Sequence, residues 1–117
     1  MLDRQRSIAR IAGMMAVTIV APHSASAVDG FQTGNTLLTS CTAPNLDVCL
    51  GYIQGISDAM ALGSLVNKSR ACVPSGVSGR QLIDITVEFL KSHASIRHAQ
   101  AASIVAVALA NSFPCSQ

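Results

Sequence analysis

The 117-residue chain carries four cysteines, Cys41, Cys49, Cys72 and Cys115, and none in its first forty positions. An even cysteine count in a short exported chain reads as a disulfide framework, and the residues ahead of Cys41 have the pattern of an export signal. Arg4, Arg6 and Arg10 make a positive opening, and Ile11 to Ala21 is apolar apart from Gly13 and Thr18. Ala25-Ser26-Ala27 then supplies a small-residue cleavage pattern. Residues 1–27 are expected to be a signal peptide cleaved after Ala27, and residues 28–117 the mature domain. A membrane anchor is the weaker reading, because a bilayer span needs about 20 apolar residues and Pro22 with His23 ends this run first.

The mature part is long enough for one small domain and too short for two. A domain of that size buries a modest share of its surface, so covalent staples matter to it. Without the leader, the basic residues are Lys68, Arg70, Arg80, Lys91 and Arg97, balanced by Asp29, Asp47, Asp58, Asp84 and Glu88. Formal charge is then zero and the cations are scattered, which argues against a nucleic-acid partner. Half of the whole chain is hydrophobic and 12% is charged, as in a packed domain rather than a disordered one. An uncharged, apolar domain of this size leans toward burying surface against a second copy of itself.

Helical patterning accounts for most of the mature chain. GNTLLTSC, Gly34 to Cys41, is a short first helix. Thr42-Ala43-Pro44 breaks it, Asn45 caps a second helix and Asp47 sits in its first turn, where the helix dipole favours negative charge. From Leu46 to Val66, residues Cys49, Tyr52, Ile53, Ile56, Met60 and Gly63 fall on one stripe. Gly51, Gly55, Asp58 and Leu62 fall on another; interior glycines each cost about 1 kcal/mol, so this pair suggests a second backbone packed close. Asn67 to Gly76 is a polar break. Ser78 and Gln81 form a capping box, with Val77 placed to staple onto Leu82. The third helix follows, apolar through Leu82, Ile83, Ile85, Val87, Phe89 and Leu90, with Asp84, Glu88 and Lys91 toward water. After a polar connection, Ser95 is placed to cap a fourth helix over roughly Ile96 to Ser112. Ala101, Ile104, Val105, Ala108 and Leu109 share its main face, Gln100, Ser103 and Asn111 form a narrow polar strip, and Phe113-Pro114 ends it. The fold class expected is all-α, a small four-helix domain with two disulfides.

Topology selects among the three possible pairings. With antiparallel long helices, Cys41 and Cys49 lie near the start of the second helix, while Cys72 follows its end and Cys115 follows the end of the fourth. The expected bridges are Cys41–Cys49 and Cys72–Cys115, the second closing a long loop that adds about 3–4 kcal/mol in the chain-entropy account.

No catalytic constellation stands out. The chain has no G-x-S-x-G elbow, phosphate loop or H-E-x-x-H. Cysteines committed to bridges leave no nucleophile, a zinc site from His93, His98 and two cysteines lacks a C-x-x-C pair, and no cofactor is implied. Asp58 reads as a partly buried, hydrogen-bonded structural carboxylate rather than half of an acid/base pair. Asn67-Lys68-Ser69 matches a glycosylation sequon, relevant only in a eukaryotic secretory pathway.

Three strings, C-L-G-Y-I-Q-G-I-S-D-A (49–59), C-V-P-S-G-V-S-G-R-Q-L (72–82) and A-A-S-I-V-A-V-A-L-A-N-S-F-P-C (101–115), resemble the Rap/Tai family of type VI secretion amidase immunity proteins. The resemblance implies a non-enzymatic periplasmic protein, usually a homodimer, that presses a protruding loop into the cleft of a peptidoglycan amidase effector. The matching loop is the connection between the third and fourth helices, with Lys91, Ser92, His93, Ser95, Arg97 and His98 as its partner-binding residues. Family members commonly have proline after the histidine; here Ala94 follows His93, which implies a less rigid loop. The alternatives are a disulfide-linked periplasmic chaperone of the HdeA type, for which five carboxylates are few, and an orphan structural or binding domain of the same fold. A lipid-carrying bundle such as a saposin normally has six or eight cysteines. N-terminal sequencing of the protein recovered from the cell envelope is expected to begin at Val28; a product retaining Ile11 to Ala21 would establish the anchor instead.

Overall fold

The computed structural model describes residues 31–63, 66 and 68–116, with Thr18, Val20 and Ala21. The cleavage pattern, most of the leader and Asn67 of the sequon lie outside the described residues. Four α-helices follow one another: α1 (Gly34–Cys41), α2 (Asp47–Ala61), α3 (Gly79–Ser92) and α4 (Ala101–Ser112), with a single 3₁₀ turn over Ala94–Ile96 between the last two. Among the described residues β-structure is limited to two isolated bridges, Thr33 with Gln100 and Val66 with Ser69. The expected all-α, four-helix class is the one observed.

Local signals place three of the four helix starts. Thr33 caps α1 through a box with Thr36, a cap the sequence reading had not assigned. The Asn45 side-chain oxygen accepts the Asp47 N–H at 2.8 Å from one position outside the cap residue, Leu46. Ser78 and Gln81 form the expected box at α3, with bonds of 3.2 and 2.9 Å. Helix α2 ends earlier than its apolar stripe predicted. Gly63 lies beyond the helix at φ 89°, where its N–H bonds the Met60 carbonyl at 3.0 Å; a left-handed residue at this point terminates a helix, and glycine takes it without Cβ strain.

Each helix packs against the other three. Leu37 of α1, Cys49 and Ile53 of α2, Leu90 of α3, and Val105 and Leu109 of α4 are wholly buried; such aliphatic side chains each contribute about 1.5–3 kcal/mol on leaving water. Helix α4 is the central element, with Ala101, Ile104, Val105, Ala106, Ala108 and Leu109 all buried. Tyr52 of α2 is half-buried beside it. Burial pushes the phenol's pKa up from its usual value, and a hydrogen bond to the Ala102 backbone partly offsets that.

Both bridges form as expected, Cys41–Cys49 and Cys72–Cys115. The first is buried, whereas Cys72 is exposed. The second ties the segment after α2 to the end of α4, where the Cys72 N–H also donates to the Phe113 carbonyl at 2.9 Å.

Three further expectations are corrected. Asp58 is exposed rather than partly buried. The stripe it shares with Gly51, Gly55 and Leu62 faces outward, and a Cβ added at either glycine would meet nothing within 4 Å among the described residues, so no described backbone approaches there. Helix α4 begins at Ala101 rather than Ile96, and Ser95 caps nothing; Gln100 occupies the cap position without a side-chain bond. The reason is tertiary: residues 97–100 lie against the start of α1, with Arg97 in a helical turn conformation. Gly34 N–H bonds Ala99 O at 3.0 Å, Asn35 N–H bonds Arg97 O at 2.8 Å, and Ala101 N–H bonds Gln32 O at 2.8 Å. Thr86 of α3, to which the sequence assigned no side, is fully buried with its hydroxyl unpartnered among the described residues.

Cys72→Ser or Cys115→Ser is expected to cost about 2–4 kcal/mol, read as a fall in the urea midpoint under oxidising conditions; an unchanged midpoint would contradict the bridge's structural weight. Thr86→Val keeps the branched shape and removes a buried unsatisfied hydroxyl, so the same measurement should show a gain of roughly 1 kcal/mol.

Candidate partner-binding site

The connection from Lys91 to His98 carries two permanent cations, Lys91 and Arg97, two histidines and no carboxylate. Lys91 lies in the last turn of α3, where a cation complements the negative end of the helix dipole. Ser92, the last helical residue, donates from Oγ to the Glu88 and Phe89 carbonyls at 2.9 and 3.1 Å.

His93 ends α3. Its N–H bonds the Phe89 carbonyl at 3.1 Å, and its ring stacks on Phe89 with centroids 4.0 Å apart and planes 18° from parallel. Its Nδ1 stands 2.9 Å from the same carbonyl. A carbonyl only accepts, so this contact requires the proton on Nδ1 and makes Nε2 the acceptor of the neutral ring. The Ser92 hydroxyl adds a contact to Nδ1 at 2.9 Å.

The 3₁₀ turn comes next, closed by Ile96 N–H to His93 O at 3.2 Å and Arg97 N–H to Ala94 O at 3.4 Å. Ser95 and His98 are exposed and Arg97 is half-buried. The Arg97 Nε is buried without a partner, as is the Oε1 of Gln32, which precedes the cap of α1. The restraint on this loop comes from the bonds of Arg97 and Ala99 to α1 behind it and from the His93 cap before it.

The six expected residues therefore share one continuous connection. The sequence reading missed the apolar ground beside it, a shallow cavity of about 210 Å³ lined by Ile96, Ala99, Ser103, Ile104 and Val107. Ile96 had been placed inside the fourth helix, which concealed it; the pair Ser103 and Val107, four apart, was the available signal. A larger cavity, about 400 Å³, lies at the other end of α4 against Asp58, Arg70 and the Cys72–Cys115 bridge.

All four cysteines are in bridges. Among the described residues no three of His, Cys, Asp and Glu gather as a metal site, and no helix is long and apolar enough to cross a membrane. What the loop offers chemically is hydrogen bonding and positive charge on a restrained backbone, suited to seating in a partner's cleft.

Searches of curated proteins and of solved structures return no match. The family model for Rap1a immunity proteins matches residues 33–115, from the cap of α1 to the last cysteine. That span takes in all four helices, both bridges and the 91–98 connection, and the chain belongs to the Rap1a immunity protein family.

Proposed function

We propose that the mature protein works in the periplasm as an immunity protein that occludes the active-site cleft of a type VI peptidoglycan amidase effector. Family membership over residues 33–115 is the observation that carries this reading. The loop's geometry supports the mode of action. Binding is weakened by whatever ordering it demands, and a loop already tied at His93, Arg97 and Ala99 demands little. Arg97 and His93 would face the cleft, the first through its guanidinium and the second through Nε2. The protein contributes no reacting group; it excludes substrate. We further propose that it is exported by residues 1–27 and pairs with a second copy, as its uncharged mature composition favours.

The chaperone reading has less support. Acid-triggered unfolding needs carboxylates whose protonation disrupts the fold. The described ones, Asp47, Asp58, Asp84 and Glu88, are all exposed. The Arg80–Asp84 pair at 3.1 Å is a surface contact, of a kind worth under about 1 kcal/mol.

The test uses the mature protein purified from the periplasm, first as bait for a peptidoglycan amidase from its own source and then as the inhibitor. The double variant His93→Ala/Arg97→Ala is expected to weaken amidase binding by at least about tenfold while circular dichroism shows the helices intact. Wild-type affinity in that variant would move the interface away from residues 91–98.

A further inference from the structure

We propose that Gly34 is a positioning residue for the partner-binding loop: the first turn of α1 sets where residues 91–98 stand, and it does so only because position 34 has no side chain. This rests on the reading of that loop as the amidase-contacting surface.

Every helix begins with amides that have no partner inside the helix. In α1 two of these, on Gly34 and Asn35, bond the carbonyls of Ala99 and Arg97 at 3.0 and 2.8 Å. The helix start thereby serves as a template for the chain that leaves the loop. Gly34 is buried, and it is not among the residues with positive φ, which are Gly63, Gly76 and Lys68. The demand at position 34 is for room, not for backbone freedom.

A Cβ at position 34 would lie 2.7 Å from Ile104 Cδ1, 2.9 Å from Arg97 O and 3.0 Å from Arg97 Cα. The first contact is with the tip of a side chain, which can turn. The other two are with backbone, and no rotamer change relieves them. Either α1 or the loop must shift. Helix α1 is held by buried Leu37 and by the buried Cys41–Cys49 bridge. Five of the six partner-binding residues are exposed, all but Arg97. The displacement therefore falls on the loop, at Arg97, which is itself a contact residue.

The decisive experiment compares Gly34→Ala with the wild-type mature protein by amide hydrogen exchange. The clasp donors at positions 34, 35 and 101 should exchange at least about tenfold faster, while the amides of Ile53, Leu90 and Leu109 keep wild-type protection. Gly79→Ala is the matched control: its Cβ would meet Leu50 Cδ1 at 2.6 Å, a side-chain contact on α2, and should leave the clasp donors unaffected. Asn35→Pro, acceptable in the first turn of a helix, deletes one clasp bond without adding bulk at position 34 and should loosen the remaining clasp amides at positions 34 and 101. Wild-type clasp protection in both Gly34→Ala and Asn35→Pro would overturn the proposal.

Inhibition of a purified type VI peptidoglycan amidase from the same source gives the functional readout. Gly34→Ala should weaken it about tenfold and Gly79→Ala should not. Full inhibition by Gly34→Ala, where His93→Ala/Arg97→Ala has lost it, would also overturn the positioning role. Full inhibition by both variants would instead fault the 91–98 interface, and the exchange pattern would still decide whether Gly34 places the loop.

Discussion

Helix α4 is apolar on so many sides that it is stable only when surrounded. Six of its twelve residues are buried, and Val105, Ala106, Ala101 and Leu109 expose no surface at all. A helix of this kind cannot stop at one neighbour, because each uncovered side would return apolar area to water. The other three helices answer that demand: α2 and α3 lie against it and α1 closes over them. In a domain this small the core alone supplies modest stability. The two bridges act at the places where the four-helix wrap would otherwise open, between α1 and α2 and between the end of α4 and the segment after α2.

Wrapping α4 leaves a problem at its start, where the chain must pass from α3 without leaving backbone groups unpaired. The structure solves it by laying residues 97–101 against the first turn of α1, so that two unpaired helix amides meet two loop carbonyls. Backbone hydrogen bonds thereby restrain the loop. A consequence is that the proposed partner-binding surface is coupled to a helix that contributes none of its side chains. The loop's basic character and His93's pinned ring then follow from residues local to the connection, while its position follows from α1.

Much of this was legible in the residues. The end of α1 and the start of α3 were readable because a helix-breaking proline and a capping box act on neighbours within a few positions. Both disulfide pairings were readable because antiparallel helices put the four cysteines at two levels. The loop that carries Lys91, His93 and Arg97 was readable as a polar interruption between two apolar helices.

Other features depend on what meets what across the fold, and a single sequence does not encode that locally. Periodicity alone carried α4 back to Ile96; it starts at Ala101 because the carbonyls of Arg97 and Ala99 are bonded to first-turn amides of α1 instead of within a helix. Asp58 and the glycines beside it suggested a crowded face, yet none of the described residues covers them. Thr86 reads as polar, and only its place beneath the packed helices buries it. Gly34 is an unremarked helix-start glycine until Arg97 and Ile104 are found against it. Local patterning determined the helices, the bridges and the chemistry of the loop, since those depend on near neighbours. Packing decided where α4 begins, which face stays open and where the loop stands, because steric room and backbone hydrogen-bond partners are set by residues distant in the chain.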